Sequence, residues 1–469
     1  MKNEIDILGY LGVLDWIVFF FFIFLTVAFV YWGQLLKKKT DSEEENFIDL
    51  MLMGRTLTLP MFVATLVATW YGGIFGVSQI AFENGIYNFV IQGFFWYVAY
   101  IFFAFFITKR LKGFKAMTLA DLTGQMFGPR SARLVGVLNF INLIPIVYAI
   151  SIGLLIQMLF GFPLLISTAT GILLVLGYSL FGGFRAVVFS DIIQFFVMCA
   201  SVLLILVFSF TEYGLAPLRS LPDSYFSPMG THGLLETFSW GLIAVSTLVD
   251  PNFYQRSFAA ESFDTAKKGI LISTVIWIIF DLCLTFGAMY AKAIIPEADS
   301  AHAYFTYAIQ LLPEGLRGLV LAGIAATILS TLDSYIFLAG STLAYDLVPK
   351  KWQGKIAIHH IGVLIVGILS IVLAGVFEGN IKNVWKTLGS LSSAALLVPI
   401  TFGHLFPGKL KDMQFIVSSS VGIITTMIWR LGGYKYQYDL DEIYIGAGSC
   451  LLIVTYFYMS NSVHKKREA

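Results

Sequence analysis

Residues 327–334 read Thr327-Ile328-Leu329-Ser330-Thr331-Leu332-Asp333-Ser334, inside a stretch that is otherwise apolar from Leu319 to Leu338. Four hydroxyls and a carboxylate are expensive in such a place. An Asp at the centre of a bilayer costs roughly 2.5–3.5 kcal/mol on insertion scales. At about 100° per residue, Thr327, Ser330, Thr331 and Ser334 fall on one narrow helix face. That face offers hard oxygen donors and neither nitrogen nor sulfur, which suits a hard cation better than a transition metal. The sequence contains no HExxH-type catalytic constellation and no nucleotide-binding P-loop, so neither an enzyme nor direct ATP drive is expected.

The elements that must hold this cluster are membrane helices. The chain has 469 residues, 58% hydrophobic and 13% charged, where a soluble chain averages about 25% charged. Cys199, Cys283 and Cys450 all sit in apolar stretches and read as buried thiols rather than a disulfide or zinc framework. Met1–Asp6 carries one Lys and two acids, and the apolar run after it is longer than a signal peptide's.

Apolar runs of about 20 residues, the length that crosses a hydrocarbon core, fall at 9–34, 58–82, 87–108, 131–159, 162–181, 185–210, 234–251, 269–295, 317–346, 358–377, 381–406, 413–431 and 441–460. The reading is an all-α integral membrane protein of about 13 transmembrane helices, numbered here as spans one to thirteen. Basic residues sort by side. Lys37-Lys38-Lys39, Lys109-Arg110, Arg130, Arg133, Arg185, Arg256, Lys267-Lys268, Lys350-Lys351, Lys355, Lys409, Lys411 and Lys465-Lys466-Arg467 all follow odd-numbered spans. Roughly 22 of the 30 basic residues lie on that side, which places the N-terminus outside and the C-terminus in the cytoplasm of a plasma or inner membrane. Met117–Phe127 and His302–Leu312 read as amphipathic surface helices. Asp15 reads as reaching interfacial water, and His359-His360 as a solvated pair at the cytoplasmic interface.

Two spans carry breaks. Span two contains Gly72-Gly73 at mid-span. Adjacent glycines weaken a helix by roughly 1 kcal/mol each. They either open a discontinuous helix whose carbonyls can bind a cation or permit close helix packing. Span seven contains Asp250-Pro251, where Pro interrupts the helix. The two breaks are five helices apart, as expected of an inverted pair of five-helix repeats. The expected organisation is 1–57 as a peripheral helix and loop, 58–210 as the first repeat and 211–233 as an extracytoplasmic loop. The second repeat is then 234–406, and 407–469 holds two peripheral helices and a short tail.

These residues resemble the solute:sodium symporter family, which has the leucine-transporter fold, over about 50–460. Phe181-Gly182-Gly183-Phe184-Arg185-Ala186-Val187-Val188-Phe189-Ser190-Asp191-Ile192-Ile193-Gln194 is similar to its GG-x-x-AV-x-x-[ST]D-x-x-Q signature. Tyr254-Gln255-Arg256 with Phe258-Ala259-Ala260 and Thr265–Gly269 resembles its QR-x-FAA…TA-[KR]-x-G loop, and Ala325–Asp346 resembles its ninth helix. The resemblance implies a sodium ion held by the carbonyls of Ala68, Tyr71 and Thr327 and the hydroxyls of Ser330 and Thr331. The family often has Ala at the position of Thr327, which leaves a carbonyl ligand unaffected. Asp191 matches an acid implicated in cation coupling, or else pairs with Arg185. With Asp333 it forms a candidate second cation or proton site. Ser334 has no assigned role. Within the family the motifs look most like the branch holding the choline transporter. A substrate site is then implied at Trp70, Gly72, Gly73, Phe75, Tyr148 and Asp250, with Asp250 standing where that branch has an aromatic.

The expected function is sodium-coupled uptake of a small organic solute by alternating access. Sodium is the coupling ion and lipid the surroundings, with no nucleic acid and no obligatory protein partner. The alternatives are proton coupling through Asp191 or Asp333, or a solute sensor or channel on the same fold. A sensor would carry an appended signalling domain, for which the stretch after Met459 is short.

Overall fold

The computed structural model describes residues 8–37, 42–179 and 182–468, without the side chains of residues 178, 179 and 462–468. Lys38, Lys39, Phe181 and the side chains of Lys465, Lys466 and Arg467 therefore lie outside the described residues. Within them the chain is helical, with no strand and one isolated parallel bridge between Leu57 and Ala260.

Among the described residues, ten helices are long and apolar enough to cross a membrane, fewer than the thirteen spans expected. The shortfall lies at spans two, five and seven. Span two is split into Leu59–Ala68 and Ile74–Asn84. Span five is a single shorter helix, Leu164–Ser179. Span seven is split into Leu234–Val245, a 3-10 turn Ser246–Val249 and the helix Pro251–Ala259. Span four also differs from the expectation of one helix. Pro145 divides it into Pro129–Leu143 and Ile146–Phe160, because Pro offers no N–H and clashes with the preceding turn.

Span one, Val13–Leu35, is peripheral. It turns Phe20, Phe21 and Phe24 outward and packs against span six (Gly183–Tyr213) and span nine (Leu316–Thr342). Asp15 does not reach water. It is fully buried, and its Oδ1 accepts the N–H of Gly315 at 2.7 Å and of Gly318 at 2.9 Å. A carboxylate on the unpaired donors at the start of span nine satisfies both those donors and the helix dipole.

Three further expectations change. The helix Ala303–Leu311 is no surface helix: Ala303 through Ile309 are buried. His359 is 1% exposed with neither ring nitrogen bonded, so it is not part of a solvated pair. The segment containing Arg256 is not a loop but the helix Pro251–Ala259, every residue of which is buried. Arg256 accordingly leaves the tally of cytoplasmic charges.

Candidate functional site

The cluster on span nine meets the break in span two. Span two stops being helical at Thr69 and resumes at Ile74. The Ala68 carbonyl, left without its helical partner, accepts the Ser330 hydroxyl at 2.7 Å. The Ser330 and Thr331 hydroxyls both turn toward the Thr327 carbonyl, at 3.2 and 3.1 Å. Tyr71 lies in the non-helical gap, where no backbone N–H donates to its carbonyl among the described residues. Its ring stacks on Phe280 at 4.2 Å. Thr327 turns its own hydroxyl back onto Gly323 at 2.6 Å, leaving its carbonyl as the inward group. Ala68, Thr327, Ser330 and Thr331 are at most 1% exposed. The assembled donors are neutral oxygens in a dry setting, a donor set that suits a hard cation such as sodium.

The two readings of Gly72-Gly73 both hold. The helix is broken there, yet neither glycine has positive φ. Their requirement is steric. A Cβ on Gly72 would sit 2.5 Å from Thr331 Cβ and 2.6 Å from Tyr148, and one on Gly73 would sit 2.3 Å from Trp385. The missing side chains let the broken segment press against span nine.

Directly beside these oxygens lies a buried ionic network. The Arg256 guanidinium donates to Thr65 at 3.0 Å, Thr69 at 2.6 Å, Ser334 at 3.1 Å and Asn252 at 2.5 Å. Asp191 lies 3.7 Å from it, with both side chains fully buried, and accepts the Thr65 hydroxyl at 2.5 Å. Asp191 is thus paired with Arg256, while Arg185 pairs with Asp49 at 2.5 Å. Ser334, without a role in the sequence, joins span nine to Arg256 and to Thr69 at 3.1 Å. Asp333 is buried on the same helix.

Sequence reasoning missed Arg256, Thr65 and Thr69 as site residues. The signal was present. Asp250 caps the new helix by accepting the Asn252 N–H at 2.8 Å, with Pro251 at its first position. An N-cap acid followed by Pro marks a helix start rather than a kink. A helix starting there carries Arg256 inward.

Above the break lies a cavity of about 150 Å³. Its walls include the rings of Trp70, Trp96, Tyr148, Trp240, Tyr335 and Trp385, with Gln92, Asn142, Ser246 and Thr247 as polar partners. Of the residues expected at a substrate site, Trp70, Gly73, Tyr148 and Asp250 line it. Gly72 and Phe75 do not. Gly72 faces Thr331, and Phe75 is buried against Phe305 at 4.5 Å and His302 at 5.7 Å.

A further carboxylate lies beside the Tyr71 hydroxyl. Asp281 on span eight (Phe263–Ile294) is fully buried and forms no ion pair among the described residues. Its Oδ2 takes the Tyr97 hydroxyl, and its Oδ1 has no partner.

A sequence profile described as the sodium:solute symporter family matches residues 50–405. The high-affinity proline transporter PutP of Bacillus subtilis is 24% identical over 359 residues, covering 70% of this chain and 74% of that protein. The sodium/pantothenate symporter of Haemophilus influenzae is 25% identical over 275 residues, 55% of either chain. Among solved structures, a Na+-coupled sialic acid symporter in its substrate-bound outward-open state superposes with a TM-score of 0.75 at 15% identity, covering 95% of this chain and 98% of that one. That last likeness is one of fold.

Proposed function

The chain belongs to the sodium:solute symporter family, and on that premise we propose that it couples inward sodium movement to uptake of a small organic solute by alternating access. The observation that carries this reading is the 2.7 Å contact between Ser330 and the Ala68 carbonyl, which joins the broken span two to span nine. A cation there replaces the hydroxyl proton as the link between two helices. It orders the segment Thr69–Gly73, whose Trp70 and Gly73 line the cavity. Sodium then binds first and completes the solute site, a differential affinity for the ordered state of the kind that shifts a conformational equilibrium. Ala68, Tyr71, Thr327, Ser330 and Thr331 are the ligands in this reading. Asp191 and Asp333 belong to the polar network behind them, where Arg256 already supplies a positive charge to Asp191.

The two half-helix pairs are read as the centres of inverted repeats over 58–210 and 234–406, set in a plasma or inner membrane with the N-terminus outside. Counterflow in proteoliposomes tests the function, with proline, glucose, pantothenate and choline as candidate solutes. Solute accumulation driven by a sodium gradient supports the reading. Accumulation driven by a pH gradient and indifferent to sodium replaces it with proton coupling, which the unpaired carboxylate of Asp281 favours as a second reading.

A further inference from the structure

The walls of the cavity above the break carry charge of one sign only. Of the residues that line it, one is acidic, Asp250, and none is Lys, Arg or His. Asp250 is largely buried, and the part of it that remains accessible belongs to the wall of this cavity. One of its oxygens holds the Asn252 N–H at 2.8 Å, which fixes the carboxylate at the start of the helix Pro251–Ala259. The Tyr335 hydroxyl also reaches it. The basic groups close to Asp250 or to the cavity walls are already engaged. Arg256 is committed to Asp191, Thr65, Thr69, Ser334 and Asn252. Lys386 stands over the Trp240 ring at 5.6 Å and pairs with Glu236 at 3.5 Å. No ion pair to Asp250 forms among the described residues. The Arg256 charge acts on Asp250 only from beyond ion-pair distance, so the carboxylate faces a small, largely aromatic space with no direct ion-pair partner among the described residues.

We infer that the solute carries a positively charged nitrogen, seated between the Asp250 carboxylate and the aromatic faces of the cavity. The inference rests on the transport reading above and narrows its substrate class. Ring faces attract a cation through their quadrupole, most strongly for Trp and most of all when water is excluded. The carboxylate adds a charge-assisted contact. A sugar would leave that charge uncompensated, and a carboxylic acid without an amine would meet it with like charge. The volume limits size as well. A cavity of about 150 Å³ accepts a molecule near the size of benzene, which admits a simple ammonium ion or a small amino acid and excludes a disaccharide or nucleoside.

The test uses the purified full chain in saturating sodium, with thermal stability as the readout. The panel is choline and tetramethylammonium as monocations, proline and glycine betaine as zwitterions, glucose as a neutral solute and pantothenate as an acid. The expected result is a saturable rise in Tm with an ammonium compound and none with glucose or pantothenate. Monocations and zwitterions separate the two sources of the shared group. The variant Asp250→Asn keeps the oxygen that accepts the Asn252 N–H, so the helix start survives while the charge is lost. It should weaken the ammonium ligand's apparent affinity by about tenfold or more, the scale of a lost charged hydrogen bond, while leaving stabilisation by sodium alone in place. A rise with glucose or pantothenate, no rise with any ammonium compound, or an Asp250→Asn variant with unchanged ligand affinity overturns the inference. None of these touches the sodium response, whose loss would instead overturn the transport reading itself.

Discussion

The Ser330 hydroxyl donates to the Ala68 carbonyl at 2.7 Å, across the boundary between span nine and the broken span two. The same hydroxyl lies 3.2 Å from the Thr327 carbonyl, so it stands between carbonyls of the two helices. A hydroxyl in this place can give its proton to a carbonyl or, by rotating, turn its lone pairs to a cation. Ser330→Ala and Thr331→Ala each remove one such oxygen. Losing a hydrogen-bonding partner of a charged group costs about 1.5–3 kcal/mol, so each variant should raise the sodium concentration for half-maximal response by about tenfold or more. Sodium titrations of the two variants against the parent check this, with unchanged midpoints in both speaking against the ligand assignment.

Gly72 is required by its neighbours rather than by its own backbone angles. In Gly72→Ala the new Cβ would lie 2.5 Å from Thr331, an overpacking that costs about 1–3 kcal/mol. The prediction is a less stable protein with a weakened sodium response. Gly177 provides the control, since nothing lies within 4 Å of a Cβ there, and Gly177→Ala should match the parent in both measurements.

Arg256 and Asp191 should behave as one unit. Removing either partner of a buried ion pair strands the other, at about 3–5 kcal/mol. Arg256→Met and Asp191→Asn should each destabilise strongly, and the double variant should lose clearly less than the sum of the two. A double-mutant cycle by thermal denaturation measures this coupling. Strict additivity would mean that the 3.7 Å approach carries no energy.

Asp281 discriminates between the two coupling ions. Asp281→Asn preserves the shape of the side chain and an oxygen for the Tyr97 hydroxyl but cannot exchange a proton. If sodium is the coupling ion, sodium-driven counterflow should persist in this variant. Its loss, together with loss of any component driven by a pH gradient, would support proton coupling instead.

Much of this architecture is legible in the sequence because bilayers impose length and polarity rules on a helix. The face of Thr327, Ser330 and Thr331 and the break at Gly72-Gly73 follow from periodicity and composition, and the structure brings these elements into contact. Other features resisted. Pro145 divides span four, yet a single Pro within a long apolar run does not announce whether it bends or breaks the helix. Arg256 was misplaced because a basic residue near a span end ordinarily marks the cytoplasmic side. Its burial depends on Asp191, 65 positions earlier in the chain, and on hydroxyls from spans two and nine. Asp15 likewise finds its partners in the N–H groups of Gly315 and Gly318, which no local pattern could pair with it. Phe75 shows the converse error. Proximity to the break suggested the solute site, while the helix Ala303–Leu311 covers its ring.

The central claim is that span nine and the broken span two form a sodium site, and its most direct test needs no knowledge of the solute. The thermal stability of the purified chain is followed against sodium, with potassium replacing it at constant ionic strength. A ligand that binds the folded state alone adds about 2.7 kcal/mol at one hundred times its Kd. The account predicts a saturable rise in Tm with sodium, absent with potassium and shifted to higher concentration in Ser330→Ala and Thr331→Ala. A response identical in sodium and potassium, or one untouched by both substitutions, would contradict it.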